Sequence, residues 1–207
     1  MKNKYIVLLK VVIHLLCFVP LARLGYYWQT DNLGANPIEF ITHSTGDWTM
    51  IFLLITLGMT PLRKLSGLQW LGRFRRMLGL YAFFYGCLHF TTYIWLDQFF
   101  DTANMIKDVA KRPFITAGFT SFVLMAPLAL TSNKAALRLL TGRRWQQLHR
   151  LIYVSAVAGV VHYWWLVKAD ITQPAIYGAI LAVLLGYRLL AKLWAWRASK
   201  PMVKSQT

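Results

Sequence analysis

A chain of 207 residues that is 57% hydrophobic and 15% aromatic, with a positive mean hydropathy, reads as a multi-span membrane protein and not as a soluble domain. Its formal charge of +16 would suggest nucleic acid in a soluble protein, so the placement of the charges has to decide. Cys17 and Cys87 both fall inside apolar runs, which suits reduced, packed thiols and not a disulfide framework.

Six apolar stretches are long enough to span, at roughly 5–27, 41–61, 77–96, 113–131, 148–167 and 174–193. The first begins "MKNKYIVLLKVVIHLLCF", a basic start and an apolar run that imitate a signal peptide. No small-x-small site follows, and His14 and Arg23 interrupt the run, so a retained span is expected. The second is the most polar, with His43 and Asp47 in its first turns before "WTMIFLLITLGM". His89 lies in the third stretch, and the fifth contains "HRLIYVSAVAGVVH", with His149 and His162 at its two ends. No repeat, low-complexity segment or linker divides the chain. The expectation is one all-α domain over 1–207, a bundle of six transmembrane helices.

Charge gives the topology. With the N-terminus inside, the cytoplasmic side holds 18 of the 23 cations: Lys2, Lys4 and Lys10; Arg63, Lys64, Arg73, Arg75 and Arg76; Lys134, Arg138, Arg143, Arg144 and Arg150; Arg188, Lys192, Arg197, Lys200 and Lys204. The other side holds Arg23, Lys107, Lys111, Arg112 and Lys168 with all seven acids, Asp31, Glu39, Asp47, Asp97, Asp101, Asp108 and Asp170. This is the positive-inside pattern, with both termini cytoplasmic, and it accounts for the basic composition without nucleic acid. The basic tail "KLWAWRASKPMVKSQT" then reads as an anchor at anionic lipid.

Depth sorts the histidines. Counted outward from the cytoplasmic ends of their spans, His89 lies about 18 Å deep and His162 about 21 Å, whereas His149 sits at the cytoplasmic rim. Two neutral imidazoles from two helices at one level are the arrangement that holds a six-coordinate haem. Zinc or copper usually takes further Asp, Glu or Cys ligands, and none shares that level in these two spans. A structural or proton-handling role, as in a transporter, stays open. His149 and His162 do not form one stripe, since 13 residues at about 100° each leave them roughly 140° apart. His14 matches neither level and reads as a packed histidine or a haem or quinone contact. His43, in "HSTGDW", reads as part of a polar helix start or as a contact to a propionate, quinone or partner. Arg73, Arg75, Arg76, Arg143 and Arg144 flank the third and fifth spans as topology signals, and suit a propionate or flavin phosphate at that rim. There is no C-x-x-C-H, no dinucleotide or phosphate loop and no soluble segment large enough for a nicotinamide domain, so such a chain needs partners at both ends.

The stretches "LGANPIEFITHSTGDW", "RRMLGLYAFFYGCLHFTTY", "KRPFITAGFTSFVLMAPLALTS" and "GRRWQQLHRLIYVSAVAGVVHYWW" resemble the ferric-reductase-like transmembrane family over nearly the whole chain. The resemblance implies a haem b protein of the bacterial inner membrane that passes electrons to a periplasmic molybdopterin methionine sulfoxide reductase of the MsrP type. It also implies an associated FMN, and electrons drawn from the quinone pool or a flavin reductase. The family's haem-ligand positions fall on His89, His149 and His162. An alternative within the family is a self-sufficient quinol or flavin oxidoreductase. Ferric reductases and NADPH oxidases carry two histidines on each of these spans, whereas Arg76 and Arg75 stand 13 and 14 residues before His89 here. A second haem at His149 would therefore lack its usual partner ligand, and that position is left between haem, flavin and quinone roles.

Overall fold

In the computed structural model of the protein, residues 3–199 are described, and they form eight α-helices and no strand. Lys2, Lys200, Lys204 and the second half of the basic tail lie outside the described residues. The helices are α1 (Asn3–Gln29), α2 (Pro37–Ser66), α3 (Arg75–Thr92), α4 (Thr102–Lys111), α5 (Pro113–Leu130), α6 (Lys134–Leu148), α7 (Leu151–Leu166) and α8 (Thr172–Ala198). A 3₁₀ turn, Gln69–Arg73, precedes α3, and a π-helical turn, Tyr93–Asp97, extends it.

Local chemistry sets several boundaries. The Asn36 side chain accepts the Glu39 amide at 3.3 Å, Pro37 opens α2, and Gly67 ends it at φ 71°, a left-handed conformation that costs glycine little. Asp101 caps α4 by accepting the Asn104 amide at 2.9 Å, and Asn133 caps α6 through the Ala136 amide at 2.7 Å. Pro113, which has no N–H to continue α4, starts α5 instead.

The six apolar stretches correspond to α1, α2, α3 with its π-turn, α5, α7 and α8. Residues Lys4–Gln29, Pro113–Leu130 and Thr172–Ala198 are long and apolar enough to cross a membrane, and Leu151–Leu166 is a shorter apolar helix. α2 and α3 are also long, at 30 and 18 residues, but Glu39, Asp47, Arg63 and Lys64 in one and Arg75, Arg76 and His89 in the other lower their hydropathy. The polar connections hold α4 and α6, which lie outside the six stretches.

α2 packs along α3 and α5 along α7, and contacts of α3 with α5 and α2 with α7 join the pairs. Phe52, Leu53, Leu57, Tyr81, Tyr85, Met125 and Ala156 fill the interior. Between α5 and α7 the hydroxyls of Ser121 and Ser155 each donate to the other's backbone carbonyl, at 2.9 and 3.0 Å, a link that small residues permit by letting the helices approach. α1 meets α3 through Tyr85, whose hydroxyl donates to the Cys17 carbonyl at 2.7 Å. Leu15 and Leu16 on α1 and Val183 and Leu190 on α8 remain exposed, as lipid-facing residues do.

One cation within the apolar helices, Arg188, has a structural explanation. Pro61 in α2 lacks the amide that would bond the Leu57 carbonyl four residues back. Arg188 of α8 donates to that carbonyl at 2.5 Å and to the Leu184 carbonyl at 3.1 Å, with its guanidinium 5.4 Å from the Tyr153 ring centre. Arg188→Leu is expected to destabilise the fold by about 1–3 kcal/mol by orphaning the Leu57 oxygen. Pro61→Ala restores an amide there, so a thermal-unfolding double-mutant cycle in detergent should show a smaller Arg188→Leu cost in that background. An equal cost in both backgrounds would rule out this pairing.

Candidate functional site

His89 of α3 and His162 of α7 face one another across a cavity of about 490 Å³ bounded by α2, α3, α5 and α7. Their ring centroids are 6.1 Å apart and their planes cross at 72°. A first-row metal bound to both Nε2 atoms at about 2 Å, with about 1.1 Å more from each nitrogen to its ring centre, sets the centroids about 6.2 Å apart. The observed separation of 6.1 Å would leave room for one metal ion between the two rings.

Both rings are held from behind. His89 Nδ1 lies 2.9 Å from the Thr42 carbonyl oxygen and His162 Nδ1 lies 2.7 Å from that of Phe114. A carbonyl only accepts, so each Nδ1 carries the proton and donates, which leaves the Nε2 lone pair available. Room for the rings comes from two glycines. A Cβ at Gly46 would lie 3.1 Å from His89 Cε1, and one at Gly118 only 2.7 Å from His162 Nδ1. The second and fourth apolar stretches, α2 and α5, thus supply a carbonyl and a glycine each.

The cavity has two chemically different ends. Met50, Leu53, Phe122 and Met125 line one end, where the hydroxyls of Thr49 and Ser121 already donate to the Thr45 and Ser155 carbonyls. Asn36, Glu39, His43, Asp97, Tyr93 and Arg112 line the outer end. Among the described residues no group of three or more His, Cys, Asp or Glu converges. Two imidazoles suit a metal that brings its own equatorial ligands, and a haem supplies four ring nitrogens.

The other candidates lie elsewhere. His149 follows α6, with Nε2 3.1 Å from the Thr131 hydroxyl and its ring 3.8 Å from that of Trp145, and it does not line this cavity. His14 Nδ1 is 2.8 Å from the Tyr81 hydroxyl at the contact of α1 with α3. His43, half exposed and 4.0 Å from Glu39, lines both this cavity and a second one of about 610 Å³ between α1 and α2, as does Asp47. Arg75 stands near Arg63, Arg188 and Tyr153, Arg76, Arg143 and Arg144 are exposed, and none of these, nor Arg73, lines the cavity. The cation that does is Arg112. Gly46, Gly118, Thr42, Phe114, Tyr93 and Arg112 were not singled out from the sequence as site residues. The available signal was glycine inside apolar helices and, for Tyr93, its place four residues beyond His89 on the same face.

Comparison with known proteins places the chain in a family. Residues 45–160 match the family described as ferric reductase like transmembrane component, a span that contains His89 and His149 and ends two residues before His162. The chain is 56% identical to the protein-methionine-sulfoxide reductase heme-binding subunit MsrQ of Herminiimonas arsenicoxydans over 192 residues, covering 92% of this chain and 87% of the relative. It is 54% identical to the protein of the same description from Ralstonia nicotianae, with 92% and 88% covered. For the one from Xanthomonas campestris pv. campestris the identity is 47%, with 96% and 93% covered.

Proposed function

The chain belongs to the ferric reductase like transmembrane component family, and from that premise we propose that it is the haem b electron-transfer subunit of a methionine sulfoxide reductase system. The observation that carries this reading is the His89 and His162 pair, with ring centres 6.1 Å apart and Nε2 atoms free to ligate. A haem bound there supplies a one-electron relay. The chain's own residues position it: the Thr42 and Phe114 carbonyls hold the ligand tautomers, Gly46 and Gly118 admit the rings, and the apolar inner end excludes water.

The partner is a periplasmic molybdopterin enzyme of the MsrP type, and the donor is the quinone pool or a cytoplasmic flavin reductase acting with FMN. The chain lies in the bacterial inner membrane with six spans and both termini cytoplasmic, as the 18 to 5 division of cations supports. A reporter fused after Thr207 is expected to behave as cytoplasmic, and a periplasmic signal would reverse this orientation. The direct test of function is anaerobic. Dithionite-reduced protein should be reoxidised when the periplasmic reductase and methionine sulfoxide are both added, and with neither alone. Reoxidation by small acceptors with no response to the reductase would instead indicate a self-sufficient oxidoreductase.

His149 serves the cytoplasmic entry side, as ligand of a second haem or in seating FMN or a quinone. His149→Ala is expected to leave the outward haem bound and to slow its reduction from the cytoplasmic side severalfold, read by stopped-flow absorbance. Loss of the His89 and His162 haem in this variant would contradict that separation. Paramagnetic resonance of gently prepared membranes distinguishes the roles: a second ferric signal lost in His149→Ala marks a ligand, and a single surviving signal assigns His149 to flavin or quinone.

A further inference from the structure

Tyr93 follows His89 by one helical turn toward the outer face and sits where α3 widens into the π-helical turn Tyr93–Asp97. Its ring stacks on Phe90 at 6.4 Å and lines the cavity that His89 and His162 share. Among the described residues, the Tyr93 hydroxyl is the buried side-chain oxygen without a hydrogen-bond partner. Such an orphan is costly unless something completes it.

The charged groups around it are Asp97, Asp108 and Arg112. Both acids are engaged: Asp108 receives Arg112 Nε at 3.2 Å and Gln98 Nε2 at 3.4 Å, and Asp97 receives Gln98 Nε2 at 2.9 Å. Arg112 contacts Asp108 through Nε, which leaves its terminal nitrogens for a further acceptor, and it too lines the cavity. The missing partner is therefore an acceptor lying within the cavity, between a phenol and a guanidinium.

Building on the haem reading above, we propose that the Tyr93 hydroxyl and Arg112 receive a propionate carboxylate of the haem held by His89 and His162, and so fix its carboxylate edge toward the outer face. At the opposite end a carboxylate would meet Met50, Leu53, Phe122 and Met125 with no free donor, an environment in which an ionised group is strongly disfavoured.

The test uses the purified full chain loaded with haem b or with its dimethyl ester, in which both carboxylates are neutral, and follows transfer to excess apomyoglobin. Wild type should lose the ester about tenfold faster than haem b, the size of one charge-assisted hydrogen bond. Tyr93→Phe should speed loss of haem b about tenfold while leaving loss of the ester unchanged, and Arg112→Met should do the same in part. Because the hydroxyl has no protein partner, the haem-free Tyr93→Phe protein should melt at or above the wild-type temperature. Two results overturn the assignment: a wild type that does not distinguish the two haems, or variants that keep the wild-type ratio. Failure of wild type to bind haem b at all removes the underlying haem reading, and the assignment with it, and is told apart by the missing Soret band.

Discussion

His89→Ala and His162→Ala should each abolish the low-spin haem spectrum, and each should purify with little or no haem. With ring centres 6.1 Å apart, the two imidazoles are spaced to hold one metal ion between them, so neither can be replaced by a neighbour. No other histidine lines the inner cavity wall, and His43, at the outer mouth, is half exposed and 4.0 Å from Glu39. A single remaining axial bond does not sustain the low-spin state. The absorbance ratio of the Soret band to protein, with and without dithionite, reads the outcome. A His89→Ala protein with a wild-type spectrum would show that the pair does not ligate a common haem.

The second large effect is expected from a residue that touches no ligand. In Gly118→Ala the new methyl would lie 2.7 Å from His162 Nδ1, inside any allowed contact, and the neighbouring atom is a ring pinned to the Phe114 carbonyl. The ring must swing away, surrendering that hydrogen bond and the aim of Nε2, or α5 must retreat from α7. Loss of a supporting contact of this kind weakens metal affinity by about 10- to 100-fold. Gly46→Ala brings its methyl to 3.1 Å from His89, so a smaller shift relieves it and only a few-fold loss is expected. Gly178→Ala, whose nearest neighbour would be Val160 at 3.6 Å, is the control and should bind normally. The order Gly118, Gly46, Gly178 in haem occupancy checks the cradle, and equal occupancy in all three would exclude it.

The sequence carried the pairing of His89 with His162 because depth is additive along a helix: a count of residues from a charged rim puts them at one level, and they share one cavity. It did not carry what lies behind each ring. Thr42 and Gly46 come from α2, and Phe114 and Gly118 from α5, so their relation to the histidines depends on helix rotation, which periodicity does not report when the apolar face runs all round. The short helices α4 and α6 were hidden for the opposite reason, being polar segments between spans that local caps at Asp101 and Asn133 order. Arg188 illustrates a cation whose location was legible and whose purpose was not, since only the packed structure sets it against the carbonyl that Pro61 leaves free. The arginines flanking the third and fifth apolar stretches were conspicuous by number, whereas the one lining the cavity, Arg112, lies in a segment that also holds Asp97, Asp101 and Asp108.

The most direct measurement of the central claim is electron paramagnetic resonance of the ferric protein as purified. Two histidines whose planes cross at 72° leave the iron's π-type orbitals nearly equal in energy, so the account predicts a strongly anisotropic low-spin signal that His89→Ala and His162→Ala both eliminate. A wild type with no low-spin signal, or a low-spin signal that survives loss of either histidine unchanged, would contradict a haem held between His89 and His162.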